Sequence, residues 1–242
     1  MTNPTAAALI IGNELLSGRT ADANLNVIAR RLSDVGVHLQ EARFVRDDDA
    51  EIVETLNQLR EKYTYVFTTG GIGPTHDDIT AACVAKAFGV SLVRDDDTVR
   101  MLKGRGKPTT EATFKMADFP EGAELIRLPD GIPPAFYIGN VFALAGIPNV
   151  MRMMLEGAIP LLQQGEEIHT LSVDALVPEN KISASFGVVQ EQFPDVELGS
   201  YPFKTADKYG TSLVVRGTNR KKVETAFGQV QKFLQEIEAP TR

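Results

Sequence analysis

Short apolar runs alternate with amphipathic stretches through the first two thirds of the chain. Ala7-Ala8-Leu9-Ile10-Ile11 is continuous and ends at Gly12, the pattern of a strand buried on both faces of a parallel sheet. From Asn24 to Leu32 the residues Leu25, Ile28, Ala29 and Leu32 recur at helical spacing, and Gly36 closes that helix before a strand over Val37 to Val45. Ile52, Val53, Leu56 and Leu59 predict a helix over Ala50 to Tyr63. Tyr65-Val66-Phe67-Thr68 then reads as a strand running into Gly70-Gly71-Ile72-Gly73-Pro74, and Ile79 to Phe88 as a helix stopped by Gly89. This β-α-β-α-β-α order predicts an α/β domain whose mostly parallel sheet is covered on both faces.

Beyond Arg94 the periodicity is weaker. Thr98 to Lys103 and Thr109 to Ala117 read as short helices separated by Gly104-Arg105-Gly106-Lys107-Pro108, an insertion near the loop edge. Phe136 to Ile138 and Val141 to Leu144 form a hairpin about Gly139-Asn140, and Met151 to Leu162 is a closing helix. The first domain is expected to span residues 1–164. Residues 165–242 read as β-α-β-β-α: strand Ile168 to Val177, helix Lys181 to Phe193, strands Glu197 to Phe203 and Thr211 to Arg216, helix Arg220 to Ile237. That order predicts a small α+β domain with its helices on one face of the sheet.

Composition narrows the function classes. Across 242 residues there are 25 Lys and Arg against 32 Asp and Glu, a formal net charge of -7, and the dense charge runs Asp47-Asp48-Asp49 and Asp95-Asp96-Asp97 are acidic. A nucleic-acid partner is therefore not expected, because binding through phosphates needs a positive surface. The apolar runs are too short to cross a bilayer and residues 1–8 lack the features of a signal peptide, so a cytoplasmic protein without a membrane partner is expected. The single cysteine, Cys83, sits among alanines and valine and reads as a small buried helix residue.

Two segments can carry chemistry. In Thr69-Gly70-Gly71-Ile72-Gly73-Pro74-Thr75-His76-Asp77-Asp78 the glycines let backbone N–H groups turn toward an anion beside a helix N-terminus, the physical basis of a phosphate loop. Spacing alone leaves an equal alternative, a tight turn with Thr75 and Asp78 as a capping box. Asp77 and Asp78 beside a phosphate cradle invite a divalent cation or ligand hydroxyls, although acids in a first helical turn are also stabilised without any ligand. The second segment, Gly12-Asn13-Glu14-Leu15-Leu16-Ser17-Gly18 with Asn24, opens at the same sheet edge if the first and third strands are neighbours. Glu14 is a candidate for a metal or a sugar hydroxyl, and Asn24 for a ligand contact or a helix cap. Asp47 to Asp49 reads foremost as a solvated loop capping the next helix, with a metal-facing edge as the alternative, and no zinc or serine-hydrolase motif is present.

The Gly12-Asn13-Glu14-Leu15-Leu16-Ser17-Gly18 and Thr69 to Thr80 segments, in this order and separation, resemble the CinA-type branch of the MoaB/Mog-like molybdopterin-binding domain family over about residues 6–162. The resemblance implies a three-layer α/β/α fold, a glycine loop that holds the phosphate of a pterin or nucleotide, a ligand- or metal-associated role for Asp78, and a homo-oligomer. Residues 166–242, with Gly199-Ser200-Tyr201-Pro202-Phe203, resemble the small second domain of the same branch. Some CinA proteins carry a further amidohydrolase domain that opens nicotinamide mononucleotide; the length of this sequence leads to the expectation that deamidase activity is absent. Departures from the family pattern fall in Pro129-Asp130-Gly131-Ile132-Pro133-Pro134-Ala135, where Ala135 replaces a glycine, and at Val150, which replaces a glutamate. Lys115 is kept as a phosphate partner, with Thr113 where asparagine is usual.

The resulting expectation is a metal-dependent nucleotide pyrophosphatase acting on ADP-ribose- or FAD-like diphosphates. Gly12, Thr69, Gly70, Gly71, Gly73, Pro74, Thr75 and Asn24 would meet the ligand, Glu14, Asp77 and Asp78 a divalent Mg, Mn or Co, and Asp78 with Lys115 would act in catalysis. The alternatives are a pterin- or nucleotide-binding protein without turnover, favoured by Ala135 and Val150, and adenylylation of molybdopterin.

Overall fold

A computed structural model describes residues 3–106, 108–129, 131–205 and 209–241; Lys107 and Asp130 of the segments above lie outside the described residues. The chain divides into two compact units, Met1–Gly165 and Glu166–Arg242.

The first unit runs β1 (Thr5–Ile11), a single-turn α1 (Asn13–Leu16), α2 (Leu25–Asp34), β2 (His38–Val45), α3 (Asp49–Lys62), β3 (Tyr65–Thr69) and α4 (Thr80–Phe88). It continues with β4 (Leu92–Arg94), α5 (Asp96–Gly104), α6 (Glu111–Phe114), β5 (Asp118–Pro120), β6 (Glu124–Ile126), β7 (Ala135–Ile138), β8 (Val141–Leu144) and α7 (Pro148–Ala158). Six strands form one sheet in the order β2-β1-β3-β8-β7-β6. The first four are parallel, and β7 and β6 turn antiparallel through the Gly139-Asn140 hairpin. Alternate side chains of the central strands feed two cores. Phe67 packs with α2 and α7 residues such as Ile28 and Leu155, and Val66 with α3 and α4 residues such as Leu56 and Val84. Both faces are thus covered by helices, as a parallel sheet requires.

The Arg94 to Asp130 region departs from the expected pair of helices. The three-residue strands β4 and β5 pair antiparallel in a small ribbon, and β6 extends the main sheet. Strands this short show too few alternations to carry a period, and the expected helix over Thr109 to Ala117 breaks at Phe114 into a 3-10 turn, Lys115–Ala117.

The sheet order places the ligand edge. β1 and β3 are adjacent and parallel, with Ile10 beside Thr69, and β8 lies beside β3 with Leu144 opposite Thr69. The segments that follow all three strands therefore leave from the same carboxyl edge.

The second unit contains β9 (His169–Ala175), α8 (Ser183–Gln192), β10 (Glu197–Lys204), β11 (Tyr209–Gly217) and α9 (Arg220–Glu236). Its antiparallel sheet has the order β10-β11-β9. Leu213 and Val215 of β11 pack with Phe186 and Val189 of α8 and with Val223, Ala226 and Val230 of α9, so one sheet face carries the core.

Candidate functional site

The glycine loop is built by backbone contacts that a side chain would prevent. Gly70 has φ 101° and Gly71 φ 68°. A Cβ on Gly70 would overlap the Ile11 carbonyl oxygen, and one on Gly71 would overlap the Thr80 hydroxyl. Thr80, fully buried at the start of α4, donates its hydroxyl to the Gly70 carbonyl at 2.8 Å and its N–H to the Gly71 carbonyl at 2.9 Å. Gly146, just after β8, packs so close that a Cβ there would lie 3.3 Å from Gly70 Cα. The loop is a backbone surface pinned between β1, β8 and α4.

The Thr75 and Asp78 pair is not a capping box. α4 begins at Thr80, its cap position is Ile79, and no side chain caps it. Asp78 instead turns its carboxylate back, accepting from the Thr75 N–H at 2.8 Å and from the Thr75 hydroxyl, and lies against Gly73. It closes a turn between the glycine loop and the helix. Asp77 stays half-exposed, 3.8 Å from the imidazole of exposed His76. The Thr75 hydroxyl, the backbone N–H of Asp77 itself, His76 and Lys115 hold the Asp77 carboxyl below the usual carboxylate range. Glu14 folds back against the Gly12 Cα, and Asp47 accepts from the Asn13 N–H at 2.9 Å. Asp48 caps α3 by accepting from the Glu51 N–H, and Asp49 pairs with Lys86.

These segments enclose a cleft of ≈ 630 Å³. Glu14, Asp47, Asp77, Asp78 and Arg105 are its charged lining, Gly12 and Gly70 to Pro74 provide backbone, and Ile132, Ile147, Val150 and Met154 form an apolar wall. Four of the expected residues do not line it. Thr69 is 1% exposed inside β3. Thr75 is exposed but spent on Asp78. Asn24 sits at the start of α2 but does not cap it with its side chain: it is 5% exposed, its amide donates to the Gly146 carbonyl at 2.8 Å, and Asp22 accepts from the Asn24 and Leu25 N–H groups. Lys115 donates to the Thr75 carbonyl at 2.9 Å and lines an adjoining pocket of ≈ 40 Å³ that shares Gly71, Ile72, Gly73 and Asp78 with the cleft. Ala135 is fully buried in the sheet, so its extra methyl does not reach the cleft, whereas Val150 does line it.

The sequence favours a solvated loop over a metal-facing edge for Asp47 and offers no reading of Arg105, yet both line the cleft. Asp47 sits in an acidic run whose neighbours have ordinary structural duties, and Arg105 lies in a glycine-rich segment with no readable period. Neither carries a signal that separates it from a surface residue.

Among the described residues no group of three or more His, Cys, Asp or Glu is placed to hold a metal ion. A resident metal cage is therefore not what these side chains form. Carboxylates along one cleft suit a hard cation of another kind, held by one or two side chains together with substrate phosphates. Glu14 and Asp77, whose carboxylates both line the cleft, fit that arrangement best, Asp77 being already held in its charged form by the Thr75 hydroxyl and its own N–H.

Residues 7–164 match the family described as "Probable molybdopterin binding domain", and residues 167–240 match "FAD synthase, middle domain". A protein of Archaeoglobus fulgidus is 33% identical over 225 residues, covering 93% of this chain and 95% of that one. A CinA-like protein of Syntrophus aciditrophicus is 35% identical over 246 residues, covering 96% of this chain and 56% of that one. The chain thus spans little more than half of the latter. The solved structure of the CinA protein from Thermoplasma acidophilum, 31% identical, superposes with a TM-score of 0.61 over 66% of this chain and 98% of that one.

Proposed function

The chain belongs to the CinA-type branch of the MoaB/Mog-like molybdopterin-binding domain family, with a second unit of the FAD synthase middle-domain type, and from this premise we propose that it is a nucleotide pyrophosphatase. Its substrates would be ADP-ribose- or FAD-like diphosphates. The observation that carries the reading is the joining, in one cleft, of a side-chain-free backbone loop with carboxylates that accompany a cation-bound diphosphate.

In this reading the phosphates lie along Gly71 to Gly73, whose backbone lines the cleft. The apolar wall of Ile132, Ile147, Val150 and Met154 takes the less polar part of the nucleotide and excludes water from that side. Glu14 and Asp77 would hold a divalent cation, which supplies charge neutralisation of the phosphoryl oxygens and acidifies a bound water when present. Water adds to one phosphorus, the bridging P–O bond breaks, and AMP leaves with the second phosphate monoester. Asp78 shapes the loop through Thr75, and Lys115 holds the same turn from outside the cleft.

Chromatography of wild-type protein incubated with ADP-ribose, FAD or NAD, with magnesium, manganese or cobalt and with a chelator control, tests the proposal. AMP that forms only with metal supports it. Unchanged AMP formation by Asp78→Ala and Gly71→Val proteins counts against the site, and no AMP from any substrate rejects the hydrolytic reading. The engagement of Asp78 with Thr75 and the apolar Val150 favour a second reading, binding without turnover. Calorimetric binding with no product over hours identifies it.

A further inference from the structure

We propose that Arg105 reads the diphosphate, so that the cleft selects nucleotides with two linked phosphates over monophosphates and nucleosides; this rests on the reading of the cleft as a nucleotide site. Arg105 is the one basic side chain in the described lining of the cleft, among four carboxylates. A diphosphate entering such a cleft meets like charge on several sides, and a cation fixed in the wall offsets that repulsion most where phosphate charge is concentrated.

The placement of the guanidinium is specific. Its Nε donates to the Gly131 carbonyl at 2.7 Å. Gly131 has φ 68°, a backbone conformation that suits glycine, and an ideal Cβ there would lie 3.8 Å from Arg105 Nε and 3.9 Å from its Cγ. The carbonyl therefore sets the plane of the fork against a turn. With Nε occupied, the two terminal nitrogens of Arg105 have no hydrogen-bond or ion-pair partner among the described residues. Planar donors of this kind match phosphate oxygens in pairs, a geometry an ammonium does not offer.

The neighbouring arginines mark the contrast. Arg94 is paired with Asp118 and Glu111, Arg100 with Asp97, and Arg127 with Asp95 and Asp97. Each is neutralised by carboxylates of its own region. Arg105, at the end of α5, is anchored by a neutral carbonyl and keeps its charge for the cleft.

The test is isothermal titration of the full chain with ADP-ribose, AMP and adenosine in the presence of magnesium, alongside AMP release. Arg105→Ala is expected to bind ADP-ribose about ten-fold or more weakly, AMP with a smaller loss, and adenosine as wild type does. Arg105→Lys is expected to fall between the two, having charge without the fork. Arg100→Ala, which removes equal charge outside the cleft, is expected to match wild type. Equal ADP-ribose affinity in Arg105→Ala and wild type overturns the proposal, and so does an equal loss for all three ligands. Wild-type protein that binds ADP-ribose without releasing AMP refutes the pyrophosphatase reading alone, and the ratio between variants then decides for or against Arg105. No binding of any of the three ligands overturns both.

Discussion

At Gly71 the absence of a side chain has a definite energetic meaning. Its φ of 68° costs an alanine about 1–2 kcal/mol from the left-handed backbone alone. Overlap with the Thr80 hydroxyl adds to that cost, because Thr80 is fully buried and its hydroxyl is committed to the Gly70 carbonyl. Gly71→Ala is expected to lower thermal stability and to weaken nucleotide binding more than Gly18→Ala does. Gly18 also has positive φ, 72°, but meets nothing within 4 Å, so the pair separates backbone strain from damage to the loop. Denaturation midpoints and calorimetry on both variants check this. Cys83 gives a second prediction: it is fully buried in α4, and burial pushes its thiol pKa up to about 12. It should stay unmodified by a thiol reagent at neutral pH and react once denaturant unfolds the chain. Labelling of the native protein at the unfolded rate would contradict that burial. The two glycine-bearing segments were readable because each compresses its chemistry into adjacent residues. Arg105 was not, because its significance arises from a carbonyl 26 positions away and from what its neighbours pair with.

Glu41 shows how two elements are tied at the sheet edge. From β2 it accepts from Lys62 at the end of α3 at 2.8 Å and from the Tyr63 hydroxyl at 2.6 Å, with Arg43 on its other oxygen at 2.6 Å. The Lys62 ammonium, then the Tyr63 hydroxyl, then Arg43 lower the Glu41 carboxyl pKa from 4.5 to about 2. A depressed carboxyl binds its proton more readily in the unfolded chain, so its contribution to stability is complete above about pH 4.5 and disappears as pH falls toward 2. Glu41→Gln should therefore be less stable than wild type at neutral pH, and the gap should close across that window. A gap that persists at pH 2 in urea titrations would rule out the charge as its origin. The same scale explains which elements could be read. Helices α3 and α9 have several turns, and β1 is a solid apolar run, so their periods are explicit. In β4, β5 and β6 three residues each leave no period, and the pairing that makes them strands joins residues nine or more positions apart. The short helix α1 is likewise hidden in a loop-like Asn-Glu-Leu-Leu.

Every described lining residue of the cleft lies between Ile11 and Met154, inside the unit Met1–Gly165, which has its own two cores. The unit Glu166–Arg242 has a separate core of Phe186, Leu213, Val215, Val223, Val230 and others, small enough that its margin of stability should be modest. Binding and folding are therefore expected to divide along the chain. A protein of residues 1–165 should melt cooperatively and bind ADP-ribose within about two-fold of the full chain, since it keeps every described lining residue of the cleft. Residues 166–242 should fold with a lower melting temperature and bind none. Circular dichroism establishes whether each piece folds, and calorimetry follows only on those that do. If residues 1–165 fold but have lost ADP-ribose, the second unit supplies part of the ligand site, and the cleft as bounded by Glu14, Arg105 and the Gly70 to Pro74 loop is incomplete. Retained binding instead assigns nucleotide recognition to the first unit and leaves the FAD synthase-type unit with a separate task.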